Sequence, residues 1–195
     1  MPSTFLLKQS MCLGVALKER DEYTEVHSGR VEELSAQLGK RCHLSSQEIV
    51  LLRNAARLHD AGKIAIPDRI LLKPTSFEPD EWEIMKTHAE IGQKICDTIN
   101  HKDARQVGLI VRHHHESFGG TGYPDKLSGE AIPICSRIIA VVDSYDAMTT
   151  ARPYHQPRGH HQVMGIIASE CGKKIDPYVF AHFETIMTRS ENREN

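Results

Sequence analysis

Apolar residues recur three and four positions apart along most of the chain, which is the spacing of helices that bury one face. The pattern is clear in residues 26–38 and again in residues 49–58. Ser45 lies just before the second segment, where a serine side chain can accept from the free amides of the first turn, and Gly62 is expected to end that helix. The pattern predicts an all-α fold built as a helical bundle.

Further helices are expected where the same spacing returns between prolines and glycines. They are predicted at 68–73, as a single turn, and at 79–99, 107–115, 134–150, 163–171 and 177–187. Residues 138–142 alone could pass for a buried strand, but the length of the segment and the absence of partner strands favour a helix. Residues 117–133 contain four glycines and two prolines. This composition predicts a long loop, and long loops are often functional.

At 195 residues the chain fits one domain with a real core. We place that domain at residues 20–188, after a helical lead-in at 1–19 and before a frayed polar tail at 189–195. A net charge of −2 gives no basic field for DNA or RNA. The five cysteines are scattered without a C-x-x-C pair, and no segment resembles a signal peptide or a membrane span. We therefore expect a soluble cytoplasmic protein.

Histidine is the compositional outlier, with twelve residues. Several histidines and two aspartates lie in otherwise apolar segments of five predicted helices, which is how a bundle places ligands at its centre. The candidate metal ligands are His27, His59, Asp60, His88, His114, His115 and Asp143. Imidazole and carboxylate suit iron, manganese, zinc or nickel better than magnesium. Seven ligands exceed the need of one ion, so the set predicts two.

These residues also have plain structural explanations. A single histidine on an apolar helix is more often a hydrogen-bonded core residue than a ligand, whereas a buried Asp143 is costly without a compensating cation. His113, His114 and His115 cannot all face one point on a helix, because successive side chains are rotated by about 100°. Spacing alone does not decide which two of the three converge.

Lys63 and the glycine loop each admit two explanations. Lys63 lies four residues after His59, so it could reach a phosphate beside the metals if the helical turn persists, or be a solvated lysine beyond the helix end. Residues 119–122 could be a flexible connector. Tyr123, fixed by Pro124 next to the histidines, would instead suit stacking or hydrogen bonding to a nucleotide.

With these residues assembled, the chain resembles an HD-GYP domain, a branch of the HD phosphohydrolases whose members hydrolyse cyclic di-GMP. The resemblance runs over residues 20–177. Its motifs are Arg20-Asp21 with His27 and Arg30, LHDAGK at 58–63, MKTHAEIG at 85–92, HHE at 114–116, GYP at 122–124 and RIIAVVDSYDAMTTARPY at 137–154.

The resemblance implies a role for each candidate. One divalent metal ion would be held by His27, His59, Asp60 and Asp143, and the other by Asp60, His88, His114 and His115. Asp60 would then bridge the two ions, and His113 would not bind. Iron or manganese is expected, with zinc or nickel as alternatives. Asp60 and Lys63 would act in catalysis, and the substrate contacts would come from Lys63, Tyr123 and Arg152.

The resemblance also implies a reaction. A hydroxide that bridges the metals would attack phosphorus and open cyclic di-GMP to linear pGpG, with GMP as a further product. The alternatives are another cyclic dinucleotide, such as cyclic GMP-AMP, or a receptor or interaction module without catalysis. HD-GYP domains often follow a sensory or receiver domain, so a sensory or signalling protein is an expected partner.

Four positions depart from the family pattern. Tyr23 stands where some members have a glutamate ligand for a third metal, so two metals are expected here. Gly119 stands where aspartate is usual, and Ser117 where a basic residue is common. His155 replaces the lysine or arginine that often follows RPY. The last three changes are expected to affect substrate affinity and choice more than the metal site.

Overall fold

The computed structural model describes residues 22–151 and 156–194, together with Val15. Its helices are α1 (Glu22–Arg41), α2 (Ser46–Leu58), α3 (Asp68–Leu71), α4 (Pro79–Lys86), α5 (His88–Asp97), α6 (Ala104–Arg112), α7 (Ile134–Thr149), α8 (His160–Ser169) and α9 (Pro177–Glu194), with 3₁₀ turns at Ala61–Ala65 and Gly129–Ala131. In this part of the chain the only β pairing is an isolated bridge between Cys171 and Ile175. The all-α prediction is confirmed. Apart from Val15, the expected lead-in lies outside the described residues.

The main core lies between α1, α2, α6 and α7. Helix α1 packs against α2 and α7, and α2 also packs against α6. Leu52 of α2 and Ile138 and Val142 of α7 are fully buried there, and Phe183 of α9 closes the same core. The apolar spacing that predicted these helices therefore marks the faces that meet.

A second, smaller apolar cluster lies outside this core. Ile66, Ile70 and Met85 are buried together, and Phe77 packs against them. These residues belong to the chain between the first 3₁₀ turn and the end of α4, and α3 contacts α4 there. The small cluster thus fixes the position of α4.

Helix α2 begins as predicted but ends earlier. The Ser45 hydroxyl accepts from the Glu48 backbone amide, and the Glu48 carboxylate accepts from the Ser45 amide at 2.8 Å, which forms a capping box. The expected end at Gly62 is wrong, because the α-helix ends at Leu58 and His59 is its C-cap. Gly62 instead lies inside the 3₁₀ turn that follows.

Two other predicted helices have different limits from those that the spacing suggested. The helix expected over residues 79–99 is interrupted at Thr87, whose hydroxyl donates to the Ile84 carbonyl at 2.7 Å, and α5 begins at His88. The helix expected over 107–115 starts at Ala104 and ends at Arg112. His113, His114 and His115 therefore follow α6, and the argument from a 100° rotation on a helix does not apply to them.

The long loop is confirmed, and Glu116 fixes it. The buried Glu116 carboxylate accepts from the backbone amides of Asp125 at 2.7 Å and Leu127 at 3.1 Å. The 3₁₀ turn Gly129–Ala131 is the one regular element within residues 117–133, all of which are described. A buried carboxylate with two backbone donors is well satisfied, so the loop has a fixed course.

Gly119 lies against the backbone of the turn after α8. Its amide donates to the Lys173 carbonyl at 2.6 Å, and the Phe118 amide donates to the Lys174 carbonyl at 3.1 Å. A Cβ on Gly119 would lie 2.9 Å from the Lys173 carbonyl oxygen, closer than Cβ atoms approach in proteins. The missing side chain thus allows the long loop and this turn to join through two backbone hydrogen bonds.

The described part of the chain has neither a disulfide nor a membrane-spanning helix. Cys42, Cys96, Cys135 and Cys171 are all free. No helix in residues 22–151 or 156–194 combines the length and the apolar character that crossing a bilayer requires. Packing and hydrogen bonds hold this part of the fold together.

Replacing Gly62 with alanine should destabilise the protein. A Cβ there would lie 1.9 Å from the His88 carbonyl oxygen and 2.7 Å from the Gly92 nitrogen, so the 3₁₀ turn and α5 would have to separate. Overpacking typically costs about 1–3 kcal/mol, which lowers Tm by roughly 3–12 °C in a chain of this size. Thermal unfolding followed by circular dichroism measures the change.

Gly165→Ala is the matched control for that substitution. Gly165 lies within α8, and nothing is found within 4 Å of the place its Cβ would take. Alanine in a helix interior is more stable than glycine by roughly 0.5–1 kcal/mol, so Tm should rise slightly. If Gly62→Ala melted at the wild-type temperature or above it, the close backbone approach would be wrong.

Candidate metal centre

Three histidines of the site lie one or two residues beyond the end of a helix, and each is fixed by that helix. Their Nδ1 atoms lie at hydrogen-bond distance from the carbonyl three residues earlier, which lacks a partner within its own helix. The bonds join His59 to Ala56 at 2.7 Å, His88 to Met85 at 2.7 Å and His114 to Val111 at 2.6 Å. Because a carbonyl only accepts, Nδ1 carries the proton and Nε2 presents a lone pair to the site.

The helix ends also shape the electrostatics of the site. The C-terminal ends of α2, α4 and α6 carry partial negative charge from their free carbonyls. The three imidazoles lie against these ends. A cation bound on the Nε2 side is therefore favoured by three helix dipoles as well as by its ligands.

His27 lies within α1 and is oriented from α7. Its Nδ1 donates to the Asp146 carboxylate at 2.7 Å, and Arg30 donates two hydrogen bonds to the same carboxylate, at 2.6 and 2.8 Å. His27 Nε2 then faces the Asp143 carboxylate at 3.1 Å and His59 Nε2 at 3.3 Å. Arg30 and Asp146 were not predicted as site residues, and here they hold His27 in place.

Asp60 presents one carboxylate oxygen to each half of the site. Its Oδ2 lies 3.4 Å from His59 Nε2, and its Oδ1 lies 3.7 Å from His88 Nε2. Lys63 Nζ is 2.8 Å from Oδ2, so Lys63 turns into the site instead of extending into solvent. This geometry suits a carboxylate shared between two ions.

The donors form two compact groups. One contains His27, His59 and Asp60, and the other contains His88, His114 and His115, with the donor atoms of each group within 4.8 Å of one another. Asp143 joins the first group, since its Oδ1 lies 3.1 Å from His27 Nε2 and 3.9 Å from His59 Nε2. All seven sequence-predicted ligands are therefore brought together.

The spacing within each group fits a bound metal ion. His27 and His59 bring their Nε2 atoms to 3.3 Å, and His88 and His114 bring theirs to 3.4 Å. Two nitrogen ligands about 2.1 Å from one ion lie about 3.0 Å apart at 90° and about 3.4 Å apart at a tetrahedral angle. Burial lowers the pKa of both His88 and His114, so two Nε2 lone pairs face each other in that pair and repel unless a cation lies between them.

The two groups differ in protonation. Burial, followed by the charges of His59 and His88, lowers the pKa of His114 to about 3, so its imidazole stays neutral. Burial opposes the charged form of His27, but hydrogen bonds to Asp143 and Asp146 outweigh it and raise the pKa of His27 to about 9. The first group thus favours positive charge, and the second offers neutral nitrogen donors.

Tyr123 lies beside the second group. Its ring is 4.9 Å from the His115 ring and tilted by 32° to it, and Lys86 Nζ lies 5.8 Å from its centroid. Burial, reinforced by the negative charges of Asp60 and Asp143, raises the pKa of the Tyr123 hydroxyl, which therefore stays protonated at neutral pH. The hydroxyl can donate a hydrogen bond to a phosphate or a base.

A cavity of about 880 Å³ opens above the two groups of donor residues, which we call the metal groups. It is large enough for a dinucleotide. His114, His115 and Asp143 lie in its wall together with Tyr123. The sequence analysis did not single out several other residues that line it, namely Trp82, Lys86, Lys126, Ser144, Met148 and Lys174. Trp82 and Lys86 could have been noticed, because they lie four residues apart in the helix that leads to His88.

Two further predictions concern His113, which the structure describes, and Arg152, which it does not. His113 does not join the metal groups; its Nε2 donates to Asp125 at 2.8 Å, beside the Arg112 guanidinium that pairs with the same carboxylate. Arg152 lies outside the described residues, as does His155. The substrate role of Arg152 stays a prediction.

The family of the chain follows from a comparison with known proteins. A family model described as an HD domain matches residues 12–179. The chain belongs to the HD domain family. The His59-Asp60 pair, which directly follows α2, belongs to one donor group, and Asp60 Oδ1 also lies 3.7 Å from His88 Nε2 of the other.

Relatives of this HD domain act on more than one nucleotide, according to their names. The chain is 40% identical over 179 residues to a cyclic di-GMP phosphodiesterase of Thermotoga maritima, covering 92% of this chain and 49% of that protein. It is 35% identical over 165 residues to the 3′3′-cGAMP-specific phosphodiesterase 2 of Vibrio cholerae, covering 85% of this chain and 32% of that protein. The chain thus spans less than half the length of these relatives.

A solved structure shares the fold. Bd1817, an HDG"Y"P protein from Bdellovibrio bacteriovorus, superposes with a TM-score of 0.68 at 21% identity. The match covers 85% of this chain and 52% of that chain. At this level of identity the likeness bears on the arrangement of helices alone.

Asp146→Asn should weaken metal binding by the HD domain. The substitution removes the charge of the carboxylate that accepts from His27 Nδ1 and, after Asp143, helps to raise the pKa of His27. Loss of such an outer partner typically lowers metal affinity roughly 10- to 100-fold. Competition with a chromogenic chelator measures the affinity. Glu184→Gln removes an exposed carboxylate of α9 and should leave it unchanged. Equal affinities in Asp146→Asn and wild type would contradict the orienting role of Asp146.

Proposed function

We propose that this HD domain is an HD-GYP phosphodiesterase that hydrolyses cyclic di-GMP to linear pGpG, with GMP as a further product. The observation that carries the proposal is the pair of donor groups that share Asp60 at the wall of a nucleotide-sized cavity. The name of the Thermotoga relative supports the choice of substrate.

The seven donors would hold two divalent transition metal ions. His27, His59 and Asp143 would bind one, His88, His114 and His115 the other, with Asp60 between them. Iron or manganese is our first expectation. When bound, such a pair of ions activates water for attack on phosphorus and stabilises negative charge on the phosphoryl oxygens.

The chain supplies the remaining requirements of the reaction. Lys63 lies beside Asp60 with its ammonium group 2.8 Å from Oδ2, where it can also attract a phosphate oxygen. Lys126 and Lys174 line the cavity and can attract a doubly anionic ligand, whereas Lys86, which also lines it, is paired with Glu83 at 2.7 Å. Tyr123 can donate from its protonated hydroxyl. The cavity thus offers two cations and a hydroxyl donor to a phosphate.

The partner and the location are part of the same proposal. The relatives are more than twice as long as the matched segment, which leaves room in those proteins for further domains. We propose that this domain works in the cytoplasm under the control of a sensory or signalling protein.

Metal-loaded protein is expected to convert cyclic di-GMP to pGpG, and Asp60→Ala is expected to lose the activity. Asp60 contacts both donor groups, so its loss should reduce metal content and lower kcat by at least about 100-fold. Chromatography of the products and elemental analysis of the protein measure both. Chelation of the metals should abolish turnover, and adding them back should restore it.

A substrate panel decides between the candidate functions. Asp97→Asn is the control, because this exposed carboxylate lies at the opposite end of α5 from His88. Faster turnover of cyclic GMP-AMP than of cyclic di-GMP would favour the alternative suggested by the Vibrio relative. Binding of either nucleotide by metal-loaded protein without hydrolysis would instead indicate a receptor.

Lys63→Met should reduce turnover more than binding. The substitution keeps most of the side-chain volume and removes the ammonium group beside Asp60, so kcat is expected to fall roughly 100-fold. Steady-state kinetics, normalised to the metal content of each preparation, separate kcat from KM. Lys63→Arg keeps the charge and should recover part of the rate. A normal kcat per bound metal in Lys63→Met would show that Lys63 acts on metal binding alone.

A further inference from the structure

Trp82 is the single tryptophan of the chain and has an unusual environment. It lies in α4 and remains 43% exposed, although an indole of this size is mostly buried in proteins. Its exposed part lines the cavity above the metal groups. An accessible indole in the wall of a polar cavity points to a ligand with an aromatic face.

The Trp82 ring is held from behind. Phe77 stacks on it with an interplanar angle of 19° and a centroid distance of 6.1 Å. Phe77 in turn packs against Ile66, Ile70 and Met85, the small apolar cluster that fixes α4. One face of the indole is therefore supported by a packed cluster, and its orientation is set before any ligand arrives.

Tyr123 forms a second wall at right angles to the first. Its ring lies 6.0 Å from the Trp82 ring with an interplanar angle of 84°. Tyr123 also contacts His115 of the second metal group at 4.9 Å between centroids. A continuous aromatic surface thus leads from the metal groups to Trp82.

We infer that Trp82 is the stacking platform for one purine base of the substrate, an inference that rests on the proposed function. The phosphodiester lies at the metal groups, and a base attached to it meets the aromatic surface that starts there. Lys126 and Lys174 line the same cavity and offer cations to a phosphate or to a guanine carbonyl. Stacking accepts any purine, so Trp82 contributes affinity and position, and the polar residues around it choose between bases.

Tryptophan fluorescence tests the contact directly, because Trp82 is the single tryptophan and excitation selective for indole leaves the five tyrosines silent. Metal-loaded wild-type protein in excess is mixed with cyclic di-GMP in a stopped-flow instrument. The emission should fall as the base stacks on the indole and recover as product leaves. Unchanged emission while the nucleotide is hydrolysed would overturn the inference and leave the phosphodiesterase intact.

Substitutions give an independent measure. Trp82→Leu should raise KM roughly 10-fold, within the range that loss of one base–aromatic stack produces, and should change kcat by less than about threefold. Trp82→Phe keeps an aromatic face and should recover part of the affinity. Thermal unfolding of both variants shows that α4 remains folded.

Tyr178→Leu is the matched control. Tyr178 is also an exposed aromatic residue, 49% accessible, but it lies beside His182 and outside the catalytic cavity. Its KM should equal that of the wild type. If Trp82→Leu and Tyr178→Leu hydrolysed cyclic di-GMP with the same KM, Trp82 would have no part in binding. If neither the wild type nor any variant hydrolysed a cyclic dinucleotide, the proposed function would fail. The change in tryptophan emission on mixing with cyclic di-GMP would then be the remaining test of whether a base stacks on Trp82.

Discussion

The site depends on the unpaired carbonyls at the ends of three helices. Ala56, Met85 and Val111 each lose their partner where a helix stops, and each receives the Nδ1 proton of a histidine instead. One hydrogen bond thus satisfies the backbone and selects the tautomer that can bind a metal. If any of these helices continued for another turn, the carbonyl would be used within the helix and the imidazole would be free to rotate.

The same arrangement links metal binding to folding. The fold brings buried acceptor nitrogens together, and between them it holds the carboxylates of Asp60 and Asp143. Without cations, some of these groups repel one another or must take up protons. Bound metals remove this repulsion, so the free energy of metal binding also stabilises the bundle. Arg30, through Asp146, neutralises the outer part of the site.

Much of the bundle could be predicted because apolar spacing reports which face of a helix is buried. The limits of α7 and the capping box at Ser45 agree with the expectation to within a residue. The break at Thr87 was missed, since the apolar pattern continues on both sides of it. The end at Arg112 was placed too late, since the histidines that follow could have extended the helix, whereas His114 instead bonds to the Val111 carbonyl. The orienting role of Asp146 depends on a contact across 119 residues, which local spacing cannot report. The grouping of the ligands could be predicted from the motifs that the chain shares with HD-GYP domains. The position of Trp82 in the cavity wall could be seen only in the folded structure.

Gly119 has a consequence for how this sequence can change. Its backbone lies so close to Lys173 that any side chain would meet the carbonyl oxygen at 2.9 Å. The aspartate usual at this position in HD-GYP domains would require the neighbouring turn to shift. Because two backbone hydrogen bonds join the loop to that turn, a side chain at position 119 and the course of the turn are coupled. Position 119 is thus a point of epistasis, where the effect of a substitution depends on a segment that is distant in the sequence.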